Sequence, residues 1–388
     1  MLNAMPSKGW RMMGLLPILA LLCHNQIVQA GTDSCSSWTH WRGGGMQQGA
    51  TVCTLPDSLK VAWEFTGDDA FSGSAVIADG VVYIGSEGGT LYALRLGSGN
   101  VLWKFEEPEM IQSTPTVCGG KVYVGDDSGT LYAVDRKTGQ RSWVFDAKGE
   151  IISAVTCAGD RLVFGSYDGY VYCLTRDGEL AWKLETGGRV HGTPAVFDEK
   201  VFAAGCDEFL HLIALSSGSS VAKVPMGSVS GASVAIRNDR AFVGTYGNQV
   251  LGVGLKDQKV AWRFEDEERQ FPFMSSPAVA EDVLVIGGRD KYVRALDAAT
   301  GKVRWAVRTK GRVDGSPIIM KDRVIVGSGD GVLYVFNLAD GKEIWRFDTG
   351  SSISGTPAPA KGYIVIGTLD GVVYAFTDPA MKRAGDDR

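Results

Sequence analysis

Short apolar runs alternate with polar turn residues along most of the chain, and residues 113–143 show the pattern most clearly. Four runs in and around this stretch place Val, Tyr, Leu and Trp at alternating positions: residues 114–118, 121–124, 130–134 and 141–145. Alternation with a period of two is typical of half-buried strands. Asp127-Ser128-Gly129 and the segment from Lys137 to Gln140 supply hairpin turns between the runs. The stretch therefore predicts one antiparallel sheet of four strands.

The tryptophan that closes this unit recurs along the chain. Seven of the ten tryptophans share its position: Trp63, Trp103, Trp143, Trp182, Trp262, Trp305 and Trp345. We assign Val224 to the same position in the copy between Trp182 and Trp262, so that the intervals run from 38 to 43 residues. Four strands in about 40 residues is the period of a propeller blade. We interpret these tryptophans as structural, with each ring wedged between neighbouring blades.

Counting the copies gives eight, and the last one is incomplete. First strands begin near Ser74, Thr114, Ser153, Thr193, Ser233, Ser276, Ser316 and Thr356. The last copy stops after its third strand, at Phe376, whereas a strand of the missing type precedes the first copy, at residues 61–65. Pairing of this strand with residues 372–376 would close the ring and leave no long unpaired edge. The sequence predicts an all-β, eight-bladed β-propeller over residues 59–378, with four antiparallel strands per blade and the N-terminal strand closing the last blade.

The N-terminal segment has a different composition from the repeats. Lys8 and Arg11 precede an apolar run at residues 12–23, and Val28-Gln29-Ala30 follows it. This is the pattern of a cleaved secretory signal, which we assign to residues 1–30. The apolar run is too short to cross a bilayer as a helix, and a leucine before Cys23 disfavours lipid anchoring there. We expect a periplasmic or extracellular protein with a leader at residues 31–58 and a polar tail at residues 379–388.

Charge and cysteine content narrow the class of protein. The formal net charge of −5 becomes −7 when Lys8 and Arg11 leave with the signal peptide. Because the chain is acidic and has no basic run, its charge argues against nucleic acid or anionic lipid as a partner. Cys35 and Cys53 are candidate disulfide partners in an oxidising compartment, and the alternative is two unpaired thiols. Disulfides and buried free thiols are both open for the four cysteines on or beside predicted strands: Cys118, Cys157, Cys173 and Cys206.

The sequence contains no motif that predicts catalytic, cofactor-binding or metal-binding residues. Candidate channel or partner-contact residues come from places where a first strand begins or a copy is irregular: Arg189, His191, Phe271, Phe273, Arg312 and Asp314. A residue that heads a first strand can face the axial channel, and Arg312 and Asp314 would form an ion pair or remain solvated. Blades 4 to 6 depart most from the repeat, either by drift or because a partner or ligand uses that sector.

The repeat resembles that of a known family. Residues 122–143 contain the pattern Val-Tyr-x-Gly followed by Gly-x-Leu-Tyr-Ala and Thr-Gly-x-x-x-Trp, and residues 81–103 and 324–345 contain variants of it. This pattern is similar to the pyrroloquinoline-quinone-type (PQQ-like) propeller repeat. Trp38, Trp41, Arg42 and Gly43 resemble the Trp-x-x-Trp-Arg-Gly segment ahead of the ring in exported members. The resemblance implies the fold strongly, whereas function depends on the site.

Two branches of this family differ in chemistry. Quinoprotein dehydrogenases hold the quinone and a calcium ion on the ring axis, and many carry a disulfide between adjacent cysteines. This chain has no adjacent cysteine pair and lacks the long insertions of those enzymes, so the resemblance favours the BamB-like branch. It implies a monomeric, non-enzymatic scaffold without cofactor that binds envelope proteins through its propeller loops. The alternatives are a PQQ- and calcium-dependent oxidoreductase of alcohols or sugars, and a glycan-binding propeller.

Overall fold

The computed structural model describes residue 1 and residues 35–380. The chain divides into two compact units, residues 1–32 and 33–388, and the description below concerns the second unit. The predicted signal peptide, with Cys23, and most of the predicted tail lie outside the described residues. Among residues 35–380, no helix has the length and apolar character that crossing a membrane requires.

The leader contains little regular structure. It forms a 3-10 turn, Trp41–Gly43, and a two-residue strand, β1 (Ala50–Thr51). β1 pairs in parallel with the inner strand of blade 7, with Ala50 opposite Ile319. The long strand β2 (Lys60–Thr66) follows and leads into the repeats.

Seven blades follow in chain order, each with four strands from the axis outwards. Blades 1 to 4 consist of β3 (Val76–Ala78), β4 (Val81–Gly85), β5 (Leu91–Arg95), β6 (Val101–Phe105); β7 (Thr116–Cys118), β8 (Lys121–Gly125), β9 (Thr130–Asp135), β10 (Arg141–Asp146); β11 (Thr156–Ala158), β12 (Arg161–Gly165), β13 (Tyr170–Thr175), β14 (Leu180–Glu185); and β15 (Ala195–Phe197), β16 (Lys200–Ala204), β17 (Phe209–Ala214), β18 (Ser220–Pro225). Blades 5 to 7 consist of β19 (Ala235–Arg237), β20 (Arg240–Gly244), β21 (Gln249–Gly254), β22 (Lys259–Glu265); β23 (Ala278–Ala280), β24 (Val283–Gly287), β25 (Tyr292–Asp297), β26 (Val303–Arg308); and β27 (Ile318–Met320), β28 (Arg323–Gly327), β29 (Val332–Asn337), β30 (Glu343–Asp348).

The eighth blade confirms the predicted closure of the ring. Its first three strands are β31 (Ala358–Ala360), β32 (Tyr363–Gly367) and β33 (Val372–Thr377), and its outer strand is β2. β2 runs antiparallel to β33, with Phe65 opposite Val373. The two ends of the propeller are therefore joined by one continuous hydrogen-bonded sheet, and the predicted count of eight blades is confirmed.

Burial differs from strand to strand within each blade. The second and third strands are buried on both faces, as in β4, whereas the outer strands alternate between buried and exposed residues, as in β14. The middle strands lie between two neighbouring sheets, so both of their faces contact apolar side chains, much as strands of covered parallel sheets do. The period-two pattern of a half-buried strand therefore holds only at the rim.

A tryptophan on the outer strand forms the same contact at most junctions between blades. The indole N–H of Trp182 donates to the Leu215 carbonyl oxygen of the next blade at 2.7 Å. A Cβ atom on Gly218 would lie 2.6 Å from that ring, so the glycine lets the indole lie against the backbone of the turn. Equivalent hydrogen bonds and glycine contacts are made by Trp63, Trp103, Trp143, Trp262 and Trp305.

The assignment of Val224 to the tryptophan position is wrong, and the correct residue is Ala222. Ala222 lies opposite Leu212 in β17, just as Trp182 lies opposite Cys173 in β13. Val224 is two residues further on and is buried. A shift of two residues keeps the same face of a strand, so the apolar pattern alone could not separate the two positions. With Ala222 the interval from Trp182 is 40 residues, as it is from Ala222 to Trp262.

Candidate functional site: the axial cavity and the upper face

The blades define two faces of the ring. We call upper the face that carries the turns between second and third strands and the connections from one blade to the next, and lower the face that carries the other two turns. Each inner strand runs from the upper towards the lower face. Residues that precede an inner strand therefore lie nearer the upper face than residues within it.

The leader follows the channel wall from blade to blade at the level of the inner strands. Its carbonyl oxygens accept hydrogen bonds of 2.7–2.9 Å from the middle N–H of the inner strand in six blades: Ile77 to Trp38, Val117 to Thr39, Val196 to Gly45, Ile236 to Met46, Val279 to Gln48 and Ile319 to Gly49. Blade 8 has Pro359 at this position, and proline has no N–H to donate. The leader thus satisfies backbone donors that would otherwise face the channel, and it lines the channel below the upper face.

Arg42 is the buried centre of this lining, with an exposed fraction of 1%. Its guanidinium donates to the carbonyl oxygens of Gln47 at 3.2 Å and Pro317 at 3.1 Å, and also to that of Pro277. All three acceptors are backbone carbonyl oxygens, and burial lowers the pKa of Arg42 to about 9. A Cβ atom on Gly49 would overlap the guanidinium, which explains why the leader has a glycine there. Arg42 therefore links the leader to blades 6 and 7.

A cavity of about 300 Å³ lies above the leader, and Trp41 forms part of its lining. The Trp41 indole N–H donates to the Ser233 hydroxyl at 3.1 Å. Around the wall, hydroxyl groups accept the backbone N–H of the neighbouring blade and so connect the blades in a belt: Thr114, Thr193, Ser233, Ser276, Ser316 and Ser74. The wall is polar and consists mainly of serine, threonine and glycine.

Two of the predicted residues line this cavity, His191 and Asp314. The His191 ring nitrogen Nδ1 lies 2.5 Å from the Tyr167 hydroxyl, and the Arg189 guanidinium lies 5.1 Å from the centre of the Tyr167 ring. Burial lowers the pKa of His191 and raises the pKa of Tyr167 to about 12. These three side chains therefore form one contacting group at the mouth of the channel.

Asp314 is held by two arginines. Arg289 donates to its carboxylate at 2.8 and 3.2 Å, and Arg312 lies 2.9 Å from it. Arg312 and Asp314 thus form an ion pair rather than separate solvated charges. Arg289 is a partner that sequence reasoning missed.

The two predicted phenylalanines of blade 6 have different environments. Phe271 is exposed, with a fraction of 51%, whereas Phe273 is buried. The Phe273 ring centre lies 5.6 Å from the guanidinium carbon of Arg294, which is itself buried. Phe273 therefore supports the loop from within and cannot contact a partner directly. Sequence analysis missed Arg294, although it occupies the position that is tyrosine in other blades, such as Tyr172 and Tyr334, and this exchange is a usable signal.

The disulfides join neighbouring segments at the axis. Cys35 is bonded to Cys53 within the leader, and Cys118 is bonded to Cys157, which connects the inner strands of blades 2 and 3. Cys173 and Cys206 are free thiols, the first buried and the second exposed. Burial raises the pKa of Cys173 to about 12, so this thiol is not in its reactive thiolate form at neutral pH.

The cavity does not fit a quinone with a calcium ion. Calcium takes six to eight oxygen ligands, with carboxylates prominent among them. In the part of the chain that the structure describes, Asp314 is the single carboxylate residue of the lining, and its oxygens already accept from two arginines. Among residues 35–380 no cysteine lines the cavity, and the indole of Trp41 forms part of its wall.

Eight four-stranded blades, closed by the N-terminal strand and lined by a leader at the channel wall, form an eight-bladed β-propeller. The family model described as outer membrane protein assembly factor BamB matches residues 48–156, 147–256, 208–308 and 256–379. The chain belongs to this family of PQQ-like repeat propellers. No curated protein gives a significant match to the sequence.

Solved structures share the fold across both branches. BamB from Moraxella catarrhalis is 19% identical, with a TM-score of 0.71 over 84% of this chain and 99% of that one. The quinohemoprotein alcohol dehydrogenase from Comamonas testosteroni is 12% identical, with a TM-score of 0.74 over 89% and 81%. A europium-containing methanol dehydrogenase is 11% identical, with a TM-score of 0.75 over 89% and 99%. At these identities the likeness concerns the fold alone.

Proposed function

We propose that the protein is a non-enzymatic scaffold of the cell envelope that binds other proteins through the loops of its upper face. The observation that carries the proposal is where the repeat breaks down. Five blades have glycine with positive φ in the upper turn: Gly89, Gly129, Gly169, Gly331 and Gly371. Blades 4, 5 and 6 instead have Glu208, Asn248 and Lys291, with φ of 67°, 60° and 71°.

Larger residues in this conformation are disfavoured by about 1–2 kcal/mol each, with asparagine among the better tolerated. Strained positions persist where another requirement maintains them, and they concentrate at functional sites. The same sector contains the one longer connection, because Trp262 and Trp305 are 43 residues apart where the common interval is 40. Three adjacent blades thus present unusual side chains on one face, which supports a binding role for that face.

The axis supports the non-enzymatic part of the proposal. The leader lines the channel, and among the described residues the lining of the cavity above it lacks the carboxylate set of a calcium site. Two disulfides are in keeping with the exported location, since such bonds persist in oxidising compartments. The membership of a BamB family is a further reason to place the protein in the envelope.

Site-specific photo-crosslinking in the protein's own cells tests the proposal. Benzoylphenylalanine at position 271 probes the upper face, and the same group at position 302 probes an exposed site on the lower face of the same blade. We expect a defined adduct with an envelope protein from position 271 and none from position 302. Absence of adducts at both positions, or alcohol oxidation above the blank after addition of quinone and calcium, would overturn the proposal.

A further inference from the structure

A cleft on the upper face of blade 6 gathers positive charge. It has a volume of about 410 Å³ and is lined mainly by Arg269, Phe271, Arg289, Lys291, Tyr292 and Arg308. We call it the blade-6 cleft. Its remaining lining residue, Asp290, is the single carboxylate, in a chain whose formal net charge is −5. The cleft therefore has a charge opposite in sign to that of the protein as a whole.

The floor of the cleft is a buried ion-pair network. Arg294 donates to Asp266 at 2.6 Å and to both carboxylate oxygens of Asp290. Its guanidinium carbon also lies 5.0 Å from the centre of the Tyr292 ring. Arg294 is thus shared between Asp266 and Asp290, and the Asp290 side chain is only 3% exposed. The four cations of the lining still outnumber its one carboxylate. Because Asp266 lies in the long connection, the network also fixes that loop against β25.

The cations of the cleft differ in availability. Lys291 and Arg308 are exposed, and within residues 35–380 neither has a carboxylate partner. Arg289 is engaged by Asp314. Arg269 lies 4.8 Å from the centre of the Tyr292 ring and contacts Asp266 and Glu268. Two cations on a rigid wall are therefore free to bind a ligand.

An exposed aromatic ring lies beside these cations. Phe271 leaves half of its surface in contact with solvent, and Tyr292 contributes a second ring to the lining. Arginine and aromatic residues are enriched where protein interfaces gain most of their binding energy. Guanidinium and ammonium groups bind carboxylates through charge-assisted hydrogen bonds, and the adjoining ring would bury an apolar side chain of the same ligand.

We propose that the blade-6 cleft binds an acidic peptide segment of the partner protein, with carboxylates on Lys291 and Arg308 and an aromatic side chain against Phe271. The inference rests on the proposed scaffold function and identifies its partner by chemistry. The local positive charge in an acidic protein selects acidic segments and excludes basic ones, because like charges across an interface are repelled.

Fluorescence anisotropy on the full-length protein tests the cleft directly. The probe is a fluorescein-labelled peptide, Glu-Phe-Asp-Glu-Phe-Asp, and two matched peptides replace either its acidic residues with lysine or its phenylalanines with serine. The Lys291→Glu, Arg308→Glu double variant should weaken binding of the acidic aromatic peptide about tenfold or more, because attraction becomes repulsion. Lys302→Glu with Lys342→Glu makes the same charge change at exposed sites on the lower face and should change affinity less than about twofold.

Phe271→Ser separates the aromatic contribution. It should weaken binding of the phenylalanine peptide about fivefold and leave the serine peptide nearly unchanged, since only the first peptide has a ring to bury. Equal binding of the lysine peptide, or equal weakening by the lower-face variant, would overturn the inference. Binding of phosphatidylglycerol vesicles that the Lys291→Glu, Arg308→Glu variant abolishes, with no peptide binding, would identify a membrane surface as the ligand and would also overturn it.

Failure of this inference can be told apart from failure of the scaffold function. If the position-271 adduct persists in the Lys291→Glu, Arg308→Glu variant, the upper face still binds a protein but the cleft does not select it by charge. If the wild-type scaffold gives no adduct while the peptide binds as expected, the scaffold function fails and the cleft keeps its chemistry.

Discussion

The rim and the axis of the ring are stabilised in opposite ways. At the rim one contact is repeated, an indole against the glycine of the next blade, and each copy joins two blades. At the axis a single segment, the leader, contacts six blades through its backbone, and its side chains, among them Trp41, Arg42 and Gln47, add further hydrogen bonds to the ring. Loss of one rim contact should therefore affect one junction, whereas loss of Arg42 should affect the leader together with blades 6 and 7.

The largest expected effect comes from Arg42→Ala. The substitution leaves three carbonyl oxygens without their donor and opens a void in a fully buried place. The lost hydrogen bonds from a charged donor and the cavity should together lower the free energy of unfolding by about 4 kcal/mol. This figure allows for the hydration that the Arg42 guanidinium of the wild type gives up when the chain folds. Chemical denaturation measures the change.

Arg42→Lys is the matched control for that experiment. Lysine keeps the charge but cannot reproduce the planar fork of five donors, so it should recover only part of the loss. Equal stability of wild type and Arg42→Ala would show that the backbone contacts of the leader are sufficient and that the axis does not depend on one residue.

Because of His40, which also lies in the leader, we expect the stability of the protein to decrease in acid. Burial and the nearby Arg176 lower its pKa from 6.5 to about 4. The unfolded chain therefore binds a proton at higher pH than the folded chain, so stability is retained above pH 6.5 and is lost as the pH falls towards 4. A shift of this size corresponds to about 3 kcal/mol. The free energy of unfolding measured from pH 7.5 to 4 should fall more steeply in wild type than in His40→Asn.

Since burial also lowers the pKa of His191, wild type and His40→Asn should be compared in a His191→Gln background as well. Parallel pH profiles for the two proteins in both backgrounds would contradict the prediction. A difference that persists in the His191→Gln background assigns the effect to the leader and not to the channel mouth.

The rim could be predicted from the sequence because it is repeated. The spacing of Trp103, Trp143 and Trp182 gave both the period and the number of blades, and the unmatched strand at residues 61–65 predicted the closure. Where the repeat lost its marker the prediction failed by two residues, since Ala222 and Val224 lie on the same face of β18. Strand pairing with Leu212, which sequence alone does not show, decides between them.

The axis could not be predicted in the same way. The leader binds through backbone groups, which carry almost no sequence signal, and Arg42 makes its contacts only once. The Cys118–Cys157 bond has a separation of 39 residues, close to one period, which would have placed both cysteines on neighbouring inner strands. The blade-6 cleft depends on Arg294 in a tyrosine position, and only a blade-by-blade alignment makes that exchange visible.

One rim junction offers a natural contrast with the others. At the junction of blades 4 and 5, Ala222 occupies the tryptophan position. Gln258, with φ of 56°, occupies the turn position that is glycine at most other junctions. Gly218→Gln would copy this turn into the neighbouring junction, where a Cβ atom would lie 2.6 Å from the Trp182 ring. We expect a loss of about 2 kcal/mol in the free energy of unfolding, from backbone strain and displacement of the indole.

Gln258→Gly is the reciprocal change and should be neutral or stabilising by up to about 1 kcal/mol. It removes the backbone strain of a non-glycine residue in the left-handed conformation, at a turn that packs against no tryptophan. Denaturation midpoints of the two variants, measured together, test whether indole and glycine depend on each other. Similar losses for both would mean that the turn and not the indole sets the requirement.

The smallest expected effect is also the sharpest test of that dependence. Ala222→Trp alone places a ring against the Cβ of Gln258 and should lower the free energy of unfolding by about 1 kcal/mol through overpacking. Combined with Gln258→Gly, the indole can lie on the turn and donate to the carbonyl oxygen of Leu255, 33 residues further on, as Trp182 does to Leu215. The double variant should then be at least as stable as wild type, with a coupling energy of about 1 kcal/mol or more between the two sites. Additive single effects would show that the apolar cluster against which Ala222, Leu255 and Val260 all pack provides a different contact in place of the indole, and that this junction no longer follows the rim pattern.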